Sequence, residues 1–561
     1  MKRFSSFLIL GLLFQSITYG QSVENSRMQW FKDAKLGIFI HYGIYSVNGI
    51  DESWSFFNGY INHNDYMNQL DGFTASKFSA DEWAQLFKKS GARYAVLTSK
   101  HHDGVALWKT ETHHYNTIEH TPAKKDIVKE FAEAMGQEEL RVGLYYSLID
   151  WSHPNYPAFL RDSVRYSKDE KRWQSFTNFY FEQLNELSSR FNPDLYWFDG
   201  DWEHSAEEWK SEKLRKQLLS YNKNLILNSR LQGYGDYATP EQGVPITKPS
   251  NNYWELCMTM NDSWGFQKND HNYKTPFQLI QIFTDCISMG GNLLLDIGPK
   301  EDGSIPAEQI EILNEFARWT SKHSEAIYGT RAGINKKHCF YPTALSKDST
   351  TLFVYLDKEL NNQLFIDGLQ STISSVRIVD HDTKLKFNHQ SSLFNCHIPT
   401  KLCDSSITVV AIDFKTKLEL TSPQQSLYDL NTNGITNNER WKQKHSKFIN
   451  DAHISIPYRY YAGLNKLSKD KNILYLLVEG KPQESLMIKG LKNKINRIWV
   501  VGEGTKLKHK VSGKQYWSQV PGIVYIDVPD YVLDQELTVI AVLLDGPIQL
   551  FEEEVKAIES N

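Results

Sequence analysis

Short apolar runs return at near-regular intervals through residues 25–335, and most of them stop at side chains able to do chemistry. Leu36-Gly37-Ile38-Phe39-Ile40 runs into His41-Tyr42-Gly43, and Tyr94-Ala95-Val96-Leu97-Thr98 into Lys100-His101-His102-Asp103. The run 141–146 closes on Ser147 and then Asp150-Trp151, and Leu195-Tyr196-Trp197-Phe198 delivers Asp199, Asp201 and Glu203. Leu225-Ile226-Leu227 leads to Asn228-Ser229-Arg230, 253–258 carries Glu255, and a last run, 291–297, stops at Gly298-Pro299. Between these runs, apolar residues at three-to-four spacing predict helices over 81–89, 126–135, 173–191, 207–221, 275–289 and 306–327. Continuous apolar strands alternating with amphipathic helices are the pattern of a parallel sheet covered on both faces. Seven or eight such units fit residues 25–335 and point to an α/β fold, a (β/α)8-type barrel over 21–335.

In such a barrel the site lies where the C-terminal ends of the strands converge. His41, His101, His102, Tyr146, Asp199, Arg230 and Glu255 all read as strand-end residues, far apart in sequence and expected to meet in space. The stretch from Pro193 to His204 sets the chemistry, because an apolar strand that ends in acids and tryptophans suits a carbohydrate. Carboxylates act at an anomeric carbon, and indole faces stack on a sugar ring. Neutral imidazoles donate to and accept from sugar hydroxyls, and arginine offers a fixed fork of donors.

Composition narrows the alternatives. At 561 residues the chain exceeds one core, and a net charge of −5 over 62 basic and 67 acidic residues gives no field for nucleic acid. Met1-Lys2-Arg3, the apolar run 7–14 and small residues up to Gly20 have the layout of a signal peptide over 1–20. No other run reaches the ~18 apolar residues of a membrane span. The expectation is therefore an exported chain, periplasmic, secreted or lysosome-like. The five cysteines, Cys257, Cys286, Cys339, Cys396 and Cys403, form no disulfide framework and no metal-ligand spacing.

The strings KLGIFIHYG, SKHHDG, GLYYS, DLYWFDGDW, DYATPE, WELCMT with SWGF behind it, and GGNLLLDIGP resemble, in this order, the landmarks of glycoside hydrolase family 29, the retaining α-L-fucosidases. The resemblance implies hydrolysis of terminal α-L-fucosyl bonds of an oligosaccharide or polysaccharide through a covalent fucosyl-enzyme, with Asp199 as nucleophile. It also implies that His41, His101, His102, Tyr146, Trp197 and Arg230 hold the fucose, with Trp54 and Trp264 shaping the rest of the pocket. Two residues resemble the family's acid/base: Glu241, in the loop after the fifth strand, and Glu255. A loop-borne acid can swing toward the leaving group, so Glu241 is preferred and Glu255 is the alternative. One departure stands out, since many members carry Glu directly before the tryptophan of the first long loop. Here Ser53 precedes Trp54, and Glu52, one place earlier, points in another direction.

Beyond the barrel the pattern turns to alternation. Short strands over 336–416 and again over 471–561 predict two β-sandwich domains joined by a segment over 417–470. Thr-Lys-Leu-Lys occurs at 383–386 and at 505–508, an offset of 122 that marks the two as related modules. Packing against the barrel is the expected role of such modules, and glycan binding, which Tyr516 and Trp517 would suit in the second, is the alternative. Asp429, Asn431 and Asn433 have the spacing of a calcium loop, but Glu439 falls one place short of the twelfth position and a plain Asn/Gly turn is the preferred reading. The catalytic reading needs no metal or other cofactor. Two other classes stay open at this point: a metal-dependent barrel hydrolase using the histidines, and a glycan-binding barrel without catalysis.

Overall fold

The computed structural model describes residues 26–112, 114–357, 363–381, 383–423, 438–515 and 518–553. The expected leader, the calcium-type loop at Asp429, Asn431 and Asn433, and Tyr516 and Trp517 lie outside them. The chain divides into two compact units. The first takes residues up to 238 together with 263–269 and 294–309; the second takes 239–262, 270–293 and everything from 310 onward. Among the described residues the first 300 positions hold, besides a short hairpin of Ala158–Leu160 with Ser163–Val164, seven strands, one fewer than a complete eightfold barrel holds. They are β1 (Leu36–Ile40), β2 (Tyr94–Lys100), β3 (Arg141–Ser147), β4 (Leu195–Asp199), β5 (Ile226–Leu227), β6 (Glu255–Thr259) and β7 (Asn292–Ile297).

In the first unit the strand order is β5-β4-β3-β2-β1-β7, and strands β1 to β5 pair in parallel. This is the parallel βα array that the alternating runs predict. Helices α1 (Ala80–Ser90), α2 (Ile127–Gln137), α3 (Glu170–Phe191) and α4 (Ser211–Tyr221) follow strands β1 to β4. Their ends obey local chemistry. Ser79 and Asp126 cap α1 and α2 by accepting from the amides of Glu82 and Lys129, and Gly91, at φ 95°, closes α1 in the left-handed conformation. The apolar faces of α1 (Trp83, Ala84, Phe87) and α2 (Val128, Phe131, Met135) are buried.

The second unit holds β6, α5 (Pro276–Ser288) and most of α6 (Ala307–Lys322), followed by four antiparallel sheets. Thr275 and Gln278 form a capping box at the start of α5. Each sandwich pairs a larger sheet with a three-stranded one, and the two repeat each other in detail. In the first, Thr351–Leu356 and Ile373–Ile378 flank Thr408–Phe414, with a bulge between Ile373 and Ser375; in the second, Ile473–Val478 and Ile495–Val500 flank Thr538–Leu544, with a bulge between Ile495 and Arg497. The helix before each module repeats too. Trp319 and Trp441 donate to the carbonyls of Ile407 and Leu537, and His323 and His445 cap their carbonyls through Nδ1. All five cysteines are free thiols. Among the described residues no helix is long and apolar enough to cross a membrane.

Candidate functional site

β4 ends on Asp199, and Gly200, at φ 83°, turns the chain at once; a Cβ there would meet Ile149 at 2.7 Å. Ser147 is the parallel partner of Asp199 and Tyr145 that of Trp197, so these four side chains share one face of the sheet. On that face the Tyr145 hydroxyl donates to Asp199 Oδ2 at 2.9 Å and Arg230 Nη1 donates to Oδ1 at 2.8 Å. The guanidinium also lies over the Trp197 ring, 4.4 Å from its centre. Both oxygens of the carboxylate are thereby fixed in direction by donors from neighbouring strands or the turn beyond β5. Burial and the nearby Asp199 charge push the Tyr145 phenol well above its usual range, so it stays a donor.

Three imidazoles surround the carboxylate, each steered through Nδ1. His41, just beyond β1, meets Asp296 Oδ1 of β7 at 2.7 Å; His102, beyond β2, meets Ser147 Oγ at 2.6 Å; His101 meets Ser53 Oγ. Nε2 is then the edge each ring can offer a ligand. That of His102 is buried without a protein hydrogen bond and lies 3.6 Å from Asp199 Oδ2. Burial lowers the basicity of all three, helped by His101 at His41, His102 at His101 and Lys100 at His102, which falls to about 3. The rings are therefore neutral, able to donate or accept toward hydroxyls. Aromatic faces complete the wall. His101 stacks on Tyr145 (5.6 Å, 7°), Trp264 lies 5.0 Å from His41, and Trp54 lies 5.4 Å from His102 and parallel to the half-exposed Trp202.

Two residues, Tyr146 and Glu255, fall differently from the sequence reading, and Glu241 and Glu52 keep the places it gave them. Tyr146 does not join the group: successive side chains alternate along β3, and its hydroxyl donates to Gln183 of α3 at 2.8 Å. Tyr145 takes the place beside Asp199. The signal was present in GLYYS, because the tyrosine two before Ser147 must share the face of the residue that pairs with Asp199. Glu255 is the first residue of β6 and wholly buried, so it opens a strand where Asp199 closes one. Glu241 is half-buried in a loop pinned next to β6, where the Gln242 amide donates to the Cys257 carbonyl at 2.9 Å and the Gln242 side chain to Thr259 Oγ1 at 3.0 Å. Glu52 turns away from the histidines and accepts from the Gly265 amide, at a glycine where a Cβ would meet the Tyr45 ring at 2.6 Å. Asp296 and Ser53 had no signal in spacing as anchors of His41 and His101, since only the folded register brings them to the imidazoles, whereas Trp151 and Trp202 stand in strand-end stretches that the sequence marks.

Two consequences are measurable. Tyr145→Phe removes a donor from Asp199 and should lower kcat/KM by roughly 10- to 100-fold, while Tyr146→Phe should stay within about 2-fold. Equal losses at both positions would contradict the alternation. Burial, with Asp51 beside it, pushes the Glu52 carboxyl up to about 8, and burial next to Glu52 pushes Asp296 well up. The stability that protonated Glu52 contributes is fully present below its ordinary value of 4.5 and lost as pH rises through about 8. The melting midpoint of the wild type should therefore fall by a few degrees relative to Glu52→Gln across that window, and parallel curves would mean that Glu52 is already ionised in the folded chain.

Hydroxyl recognition around one oriented carboxylate at the mouth of a parallel βα fold is the chemistry of the glycoside hydrolases. The family model for alpha-L-fucosidase matches residues 15–325, and the chain belongs to that family, glycoside hydrolase family 29. An alpha-L-fucosidase of Dictyostelium discoideum is 32% identical over 395 residues, covering 63% of this chain and 84% of the relative. Among solved structures, alpha-L-fucosidase isoenzyme 1 of Paenibacillus thiaminolyticus is 29% identical with a TM-score of 0.66, covering 70% of this chain and 100% of that one. The Thermotoga maritima alpha-fucosidase in complex with a mechanism-based inhibitor is 29% identical with a TM-score of 0.58, covering 69% and 96%. The parallel βα sheet of this chain and the antiparallel sheets that follow it accord with the α/β barrel-type and β-sandwich architecture read from the sequence.

Proposed function

We propose that this alpha-L-fucosidase is exported and releases terminal α-L-fucosyl groups with retention, Asp199 acting as nucleophile. The observation that carries the reading is the orientation of Asp199, held on Oδ1 by Arg230 and on Oδ2 by Tyr145 within a wall of neutral imidazoles. In the first step Asp199 attacks the anomeric carbon, and the bond to the leaving oxygen breaks as Glu241 gives that oxygen a proton. A fucosyl ester on Asp199 results. In the second step Glu241 takes a proton from water, water attacks the same carbon, and the ester bond breaks to return Asp199 as a carboxylate.

The rings have defined work in this scheme. His102 Nε2, open and next to Asp199, meets a hydroxyl adjacent to the reacting carbon, and His41 and His101 meet others on the same face. Trp54, Trp197 and Trp264 cover the apolar parts of the ring. Ser53 makes its own difference: it anchors His101, so the loop before Trp54 contributes a positioned imidazole instead of a carboxylate. The reading needs no metal or cofactor. Proton NMR of aryl α-L-fucoside hydrolysis tests retention: the first fucose formed should be the α anomer, and β-fucose appearing first would exclude a covalent intermediate on Asp199.

A further inference from the structure

The second unit contains a cluster of buried ligand-type groups that takes no part in fucoside cleavage. His323, at the end of α6, is wholly buried; its Nδ1 is bonded to the Trp319 carbonyl, and its Nε2 has no hydrogen-bond partner. Asp404 is buried, and Asp380 presents a buried Oδ2, also without a hydrogen bond. One ligand atom from each of the three falls within 4.8 Å of the others. A buried imidazole edge and a buried carboxylate oxygen facing each other without hydrogen bonds need a shared partner.

The charges around the cluster do not supply it fully. Arg318 grips Asp404 through two bonds of 2.7 Å and is shared with Glu315. Lys322, whose side chain is 43% exposed, stands 3.6 Å from Asp404 and 3.9 Å from Asp380, and His381 Nε2 lies 3.3 Å from Asp380. Three carboxylates thus face one arginine and one loosely placed lysine. With Nδ1 donating to the Trp319 carbonyl, the neutral His323 imidazole carries its lone pair on Nε2, the edge that faces the carboxylates.

The second module is an internal control. Its Asp534 repeats the Asp404 turn, accepting from the Glu536 amide as Asp404 does from Ser406, and its own amide donates to Thr538 as that of Asp404 does to Thr408. There Lys444 fills the notch, 2.7 Å from Asp534 and 3.0 Å from Glu503. The place of Asp380, 122 positions on, is Gly502. The first module therefore carries its second carboxylate one place earlier, at Asp380, with His381 where the second has Glu503, and holds its lysine loosely where the second has a tight ion pair.

We propose that His323 Nε2, Asp380 Oδ2 and a carboxylate oxygen of Asp404 form a site for a divalent transition-metal ion of the zinc type, with water completing the shell. One nitrogen and two carboxylates suit zinc at ligand distances of about 2.0–2.2 Å, so the three groups close in by about an ångström on binding. Lys322 swings to solvent as the ion enters. The ion ties the end of α6 to the loops at 380 and 404 of the first sandwich.

The test uses the full chain, freed of metal with a chelator and titrated with zinc against a chromophoric competitor. Wild type should bind one more equivalent than either Asp380→Asn or His323→Gln, and zinc should raise its melting midpoint by several degrees but not theirs. Lys322→Met, which removes the competing ammonium, should bind at least about 10-fold more tightly. Hydrolysis of an aryl fucoside by the folded variants should stay at the wild-type level. Equal zinc stoichiometry in wild type and both ligand variants would overturn the assignment, as would a Lys322→Met chain with unchanged affinity.

Discussion

Asp199→Gly should lower turnover of an aryl α-L-fucoside by on the order of 10⁴-fold or more, with the chain still folded. The residue closes β4 at the pocket and packs no core, but its loss leaves the buried Arg230 guanidinium without its carboxylate. Asp199→Asn, which keeps the shape, is the companion variant, and circular dichroism of both checks the fold. Azide should restore part of the glycine variant's activity by entering the space of the lost carboxylate, and the product should be the β-fucosyl azide, inverted at the anomeric carbon. A glycine variant that keeps more than about a tenth of wild-type turnover would remove Asp199 from the role of nucleophile.

The second large effect falls on the acid/base. Glu241→Ala should slow cleavage of a natural fucosylated glycan by roughly 10²- to 10⁴-fold, yet cost far less on a substrate whose leaving group departs without a proton. Azide should accelerate that variant by attacking the ester on Asp199, giving the α-fucosyl azide. Glu255→Ala should show neither the leaving-group dependence nor the rescue, the outcome expected of a wholly buried residue at the opening of β6. Rescue of the Glu255 variant alone would reverse the assignment. The opposite anomers of the two azides separate nucleophile from acid/base in a single pair of experiments.

Much of this was legible before the structure. Periodicity placed the helices within a few residues of α1 to α6, because their caps, such as Ser79 and Asp126, are local features of sequence. Apolar runs ending in His41, His101, His102 and Asp199 located the strand ends, since a strand buried on both faces cannot carry such residues along its length. Facing was harder to read. Tyr145 and Tyr146 are chemically identical, and only the register of Ser147 with Asp199 tells which one reaches the carboxylate. The anchors were out of reach: Asp296 lies 255 positions from His41, and nothing local in either marks the pair. Glu255 was misplaced by a simpler cause, a strand that begins where the apolar pattern suggested an end. The repeat of 122 positions was visible in four residues and extends to the helices and the bulges of both sandwiches, while the aspartate turns that follow recur at 534 − 404 = 130.

That duplication bears on how the chain reaches its native state. The edge of Thr408–Phe414 that receives Thr351–Leu356 has the same hydrogen-bond spacing and nearly the same side-chain pattern as the edge of Thr538–Leu544 that receives Ile473–Val478. Each outer strand is thus complementary to two central strands in one polypeptide, and strand exchange between the copies is a local minimum on the way to the fold. Order of synthesis favours the correct outcome, because the first copy can complete its sheets before the second leaves the ribosome. A chain released all at once from denaturant has no such head start.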